Sequence, residues 1–156
     1  MIRTNADIQK TVRALEWLGN QPAGKNAKAP VYNAFQLRVQ LHIEAYRPMS
    51  TAIAKTEKSL FVRFEKEAGD ELKYLENGNV SFGIRADRDY KQQAEELMEA
   101  AAEEEPKRKA FVVTDFESVG IFVPQSIMDD LGSLFTKPAD YDPDAIGANV
   151  TEENAD

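Results

Sequence analysis

Apolar residues recur at helical spacing through the first half of the chain, and a strand-like pattern replaces them only after residue 70. Ile8, Val12, Leu15 and Leu18 share one face of a first helix, with Asn5 as its N-cap and Gly19 as its stop. Trp17 projects roughly opposite Ile8, which places it either under the following loop or in solvent. Pro, Gly and Asn punctuate residues 20–29 as a loop, and Pro30 suits the first turn of a second helix. Over residues 31–47, Val31, Ala34, Phe35, Leu37, Val39, Leu41, Ala45 and Tyr46 form one broad arc at roughly 100° per residue. Asn33, Gln36, Gln40, Glu44 and Arg47 lie opposite. Pro48 predicts a kink or break. The helical period then resumes through Met49, Ile53, Leu60, Phe61, Phe64 and Ala68 up to Gly69. A single bent rod and a hairpin both satisfy this pattern.

Residues 72–76 and 80–84 flank Asn77-Gly78-Asn79, and Asn-Gly is the strongest short hairpin signal. The ribbon must lean on helices to persist in water. Asp87 is the expected cap of another helix, running to about Glu105 with Tyr90, Ala94, Leu97, Met98 and Ala101 inward. Its Ala/Glu-rich stretch is most simply a solvated face. Glu103, Glu104 and Glu105 carry the wrong sign for a helix C-terminus, so that end either frays or pairs with Lys107, Arg108 and Lys109. β-branched residues predict strands at 111–114 and 119–123, and Pro124 opens a last helix with Ile127, Leu131, Leu134 and Phe135 inward. The fold class is therefore α+β. A helical hairpin or kinked helical layer packs with a small antiparallel β-sheet, built on the Asn77-Gly78 hairpin, and with further helices.

Charge divides the chain. Of the 27 acidic residues, six (Asp140, Asp142, Asp144, Glu152, Glu153 and Asp156) follow residue 137, with no Lys or Arg among them. The remaining acids nearly balance the 19 bases, so the tail supplies most of the net charge of −8. Residues 1–137 are expected to form one globular domain, and 138–156 an acidic tail that is mobile unless a partner holds it. An acidic total disfavours non-specific nucleic-acid binding, which depends on neutralising phosphates. No stretch approaches the length of a membrane span, and the N-terminus lacks the apolar core of a signal peptide. The absence of cysteine excludes disulfides and thiolate chemistry, and a single histidine excludes His-pair zinc motifs.

Arg38 and His42 are the most pointed candidates for chemistry, standing one helical turn apart within the apolar arc. Buried polarity needs partners. One reading makes them an anion-binding or acid–base site, since imidazole titrates near neutrality. The plainer reading has Arg38 reaching a carboxylate such as Glu16 or Glu57, with His42 a satisfied core or rim residue. No Ser, Cys or second His stands at a matching spacing. Asp140, Asp142 and Asp144 open like a calcium loop, but Ala145 and Thr151 occupy the positions that need glycine and glutamate. Phosphate-binding glycine motifs and a nucleophile elbow are absent. Tyr74, Phe82 and Phe111 could form a stacking platform in principle, but without a basic surround they read as core. No cofactor is implied.

Ala14-Leu15-x-x-Leu18 with Gly19-Asn20 opens a set of matching features that continues through Pro30-Val31, Ala34-Phe35, Leu41 and Glu44. It closes with the turn at residues 76–79, then Gly120-Ile121, Pro124, Leu131 and Leu134. In this order of elements the chain resembles a family of small uncharacterised proteins of tailed bacteriophages, over most of residues 7–135. The resemblance implies a phage gene product that acts through protein contacts, and it assigns no catalytic residues. The resulting expectation is a non-enzymatic protein of the virion or of the host cytoplasm. Its partner would be a phage structural protein during assembly, or a host (defence) protein that it inhibits. A small ligand-binding domain or enzyme built on Arg38 and His42 is the alternative. Nucleic-acid mimicry is a minor one, requiring acids arrayed on one face of the folded body.

Overall fold

A computed structural model describes residues 3–103 and 105–136, so the expected acidic tail (138–156) and the domain limit at 137 lie outside the described residues. Helix α1 is Asn5–Gly19, and its cap is Thr4 rather than Asn5. The Thr4 hydroxyl accepts from the Asp7 backbone N–H at 3.2 Å, and the Asp7 carboxylate accepts from the Thr4 N–H at 3.1 Å. This reciprocal pair satisfies two N–H groups that the helix itself cannot reach. Asn5 instead donates its side-chain amide to the Leu97 carbonyl, tying α1 to a later helix. Trp17 is half-buried against the core.

Of the two arrangements left open at Pro48, the single rod forms and the break that a hairpin needs does not. Helix α2, Ala29–Ala68, continues through Pro48 for 40 residues, roughly 60 Å along its path at 1.5 Å per residue. Pro48 removes one backbone donor, yet Tyr46 and Ile53 are buried on either side of it and hold the rod to its neighbours. The buried arc also differs from the expected one. Phe35, Val39, His42, Ile43, Tyr46 and Ile53 face inward, whereas Val31, Leu37 and Leu41 stand in solvent.

Beyond Gly69, whose φ of 53° ends α2, the hairpin forms as expected but is shorter. Strands β1 (Lys73–Tyr74) and β2 (Val80–Ser81) pair antiparallel, with Tyr74 opposite Val80. Ile84 belongs to the next helix and not to a strand. Helix α3, Ile84–Glu99, begins after Gly83, and Asp87 sits inside its first turn, where it accepts from the Phe82 N–H and the Ser81 hydroxyl. The helix ends six residues before Glu105. There the chain extends and pairs with the N-terminus, Asn5 donating to the Ala100 carbonyl and Ala102 to that of Arg3. Glu103 and Glu105 are thereby kept out of a helix C-terminus that would repel them.

Both strands expected near the C-terminus are absent. Helix α4 occupies Val113–Ser118, and residues 119–123 are an irregular connection to α5, Gln125–Leu131. Phe111 makes only an isolated parallel bridge with Phe135. β-propensity here marks burial and not pairing, since Phe111, Val113, Val119, Ile121 and Val123 all enter the core. The architecture is α+β: mostly helical, with one small two-stranded antiparallel sheet.

Candidate functional site

Arg38 and His42 project from α2 toward the extended segment before α4. The Arg38 guanidinium donates to the carbonyls of Ala110 (2.6 Å) and Lys109 (3.2 Å). It also pairs with the Asp115 carboxylate at 3.1 Å and covers the Phe111 ring, 4.3 Å from its centroid. The partner is thus Asp115, and neither Glu16 nor Glu57. Asp115 lies in the first turn of α4, where it also accepts from the Val112 N–H at 2.8 Å. One carboxylate therefore caps a short helix and anchors it to α2.

His42 is 1 % exposed, with its ring 4.9 Å from that of Phe111. Burial, then the charges of Arg108 and Arg38, push its pKa from 6.5 down to about 4, against an opposing contact with the Lys109 backbone. Its Nδ1 is buried without a hydrogen-bond partner. The imidazole is consequently neutral at physiological pH and shut off from solvent. The structure brings both candidates together around Phe111, but as a clamp on the 109–111 segment. The three aromatics considered for stacking are separated: Tyr74 is 74 % exposed on the hairpin, while Phe82 and Phe111 are buried in different clusters.

A second polar node lies beside this one and carries no signal in the periodicity. Arg3, 8 % exposed, pairs with Glu105 at 2.6 Å and donates to the Leu131 carbonyl. Glu105 also accepts from the Tyr46 hydroxyl (2.7 Å) and the Ser133 hydroxyl (2.8 Å). Burial raises the Glu105 pKa, but Tyr46, Ser133 and Arg3 outweigh it and hold the carboxyl below its usual value. Burial and that same carboxylate push the Tyr46 hydroxyl well up. Gly132 makes the node possible. A Cβ there would collide with the Arg3 guanidinium, and its φ of 56° disfavours any other residue.

Two open grooves flank these nodes. One, about 620 Å³, is mostly apolar and runs beside α2, lined by Ala45, Pro48, Met49, Ala52, Ile53 and Leu97, among others. The other, about 530 Å³, is lined by residues 105–109 (Glu105, Pro106, Lys107, Arg108 and Lys109) together with Ser133 and Leu134. Among the described residues, no cluster of three or more His, Asp or Glu side chains could hold a metal ion. No helix of the described residues is long and apolar enough to cross a membrane. Asp140, Asp142 and Asp144 lie outside the described residues. No protein-family model, curated protein or solved structure matches the chain.

Proposed function

We propose that this chain is a non-enzymatic, phage-encoded protein-interaction protein, acting in the virion or in the host cytoplasm. In that role it is either an assembly component or an inhibitor of a host protein. The observation that supports the reading most is the outer face of α2. Leu37 and Leu41, 61 % and 43 % exposed, stand about one turn apart on the side away from the core. Ala34, Pro48 and Ala52 are also exposed along the rod, and the last two lead into the apolar groove. Scattered exposed apolar residues are ordinary, but an apolar row on one helix face is how helices engage partners.

The reading of Arg38 and His42 as an anion site has less support, because the guanidinium is already committed to two carbonyls and a carboxylate. Nucleic-acid mimicry also lacks support among the described residues. Along α3, Arg85, Arg88 and Lys91 alternate with Asp87 and Asp89, and only Glu95, Glu96 and Glu99 follow without a base between them.

The test is affinity capture from infected cells with the full chain and with the double variant Leu37→Glu/Leu41→Glu. Both positions are exposed, so stability should stay within about 0.5 kcal/mol per substitution while the captured partner disappears. Peptides of the protein in purified virions would identify the assembly role; their absence with early expression would identify the host-directed one. Capture that is unchanged by the double variant would refute the proposed face.

A further inference from the structure

Lys107, Arg108 and Lys109 are three consecutive exposed cations lining one groove. None of them forms an ion pair among the described residues. The groove's own carboxylate, Glu105, is already engaged by Arg3, Tyr46 and Ser133, and Asp115, which shares Arg38 with the Lys109 carbonyl, by Arg38 and the Val112 N–H. The groove therefore carries positive charge that its own walls do not neutralise.

An acidic segment of the chain begins close to this place. Thr136 donates to the Phe111 carbonyl at 2.9 Å and Phe111 donates to the Leu134 carbonyl; the bridge is parallel, so the chain leaves Thr136 two residues past Lys109 and must turn back to reach the cations. Twenty residues follow Thr136. Asp140, the first acid among them, is four residues on, within roughly 14 Å of extended chain. Asp140, Asp142 and Asp144 recur at every second position, the spacing that presents carboxylates to one side of an extended strand. No base follows Lys137 to compete for them. A tether this short gives an effective concentration on the order of millimolar, which lets even weak exposed ion pairs be populated.

We propose that the groove of Lys107, Arg108 and Lys109 is a docking surface for acidic peptide, and that the chain's own residues 138–156 occupy it in cis. This goes beyond the interaction reading and stands without it, since no outside partner enters the argument.

Zero-length carbodiimide cross-linking of the full chain tests it, using a mixture of ¹⁵N-labelled and unlabelled protein. The expected products join Lys107 or Lys109 to Asp140, Asp142 or Asp144 within one isotopic copy. Their yield should fall several-fold at about 0.5 M salt, where screening shortens electrostatic reach to a few ångströms. It should fall at least twofold in Arg108→Gln, which removes a charge without removing a reactive lysine. Three outcomes overturn the proposal. These are links joining labelled to unlabelled copies, which assign the tail to another molecule; equal yields at the exposed lysines Lys25, Lys55 and Lys66; and no link to Lys107 or Lys109.

Discussion

His42 shows how one side chain sets an acid limit on the fold. The unfolded chain takes up a proton near pH 6.5, whereas the folded one resists until about 4. Between those values the unfolded state binds more protons, so stability falls with decreasing pH, by at most about 1.4 kcal/mol per pH unit. In His42→Leu, the difference in urea midpoint between pH 7 and pH 5 should shrink, because nothing at this position titrates. At pH 7 the variant's midpoint should change little, because losing the contact with the Lys109 backbone is offset by removing a buried nitrogen that has no partner. Glu105 acts in a lower window. Its pKa is depressed in the fold, so its contribution is complete above the unfolded value and is lost as the pH drops through the folded one. Glu105→Ala leaves the Arg3 guanidinium and the Tyr46 hydroxyl without their carboxylate, and should cost about 3 kcal/mol in chemical denaturation. A loss below 1 kcal/mol would mean that water replaces the carboxylate, and that the node is not sealed.

At the scale of elements, the connection after α1 and the one after α4 meet backbone to backbone. Gly24 donates to the Val119 carbonyl at 2.8 Å, and a Cβ on Gly24 would stand 2.6 Å from both the Cα and the carbonyl oxygen of Gly120. Gly120 has a φ of 65° and meets the Gly24 Cα in turn. Gly24→Ala should therefore lower thermal stability by about 2 kcal/mol or more, because neither backbone can rotate away as a side chain would. Gly69→Ala, where nothing lies within 4 Å, isolates the purely conformational cost of a positive φ. This crossing explains why some elements were legible in the sequence and others were not. The helices and the Asn77-Gly78 turn follow from local period and turn chemistry. Residues 111–123 do not, because their apolar side chains serve a core assembled from α1 and α2, and β-branching marks burial as readily as pairing. Arg38 and His42 stood out in the sequence as polar residues in an apolar arc. Their partners did not, because Asp115 and Phe111 are some seventy positions away. Arg3 gave no signal, and Glu105 stood out only as an ill-placed charge at a helix end, whose partner proves to be Arg3 at the other end of the sequence and none of Lys107, Arg108 or Lys109.

Across the whole molecule, two apolar clusters share the long rod. The larger joins α1, the first half of α2 and residues 111–135. The smaller is aromatic: Phe61, Phe64, Phe82 and Tyr90 meet edge to face or tilted, with ring centroids 5.3 to 6.0 Å apart. It fastens the hairpin and the start of α3 to the second half of α2, which has no other buried support beyond Ile53. Short strands and a helix with no fully buried residue add little of their own. The far end should therefore open as a separate unit, at a lower free energy than the main core. Phe82 is the residue on which this turns, being 2 % exposed at the centre of the four rings. Phe82→Ala should remove about 3 kcal/mol or more from the far end. In hydrogen exchange, amides from residue 60 to 94 should then lose roughly two orders of magnitude of protection, while those of Leu15 and Val39 keep theirs. An equal loss at both ends would instead mean that α2 transmits unfolding along its whole length, and that the two clusters form one cooperative body.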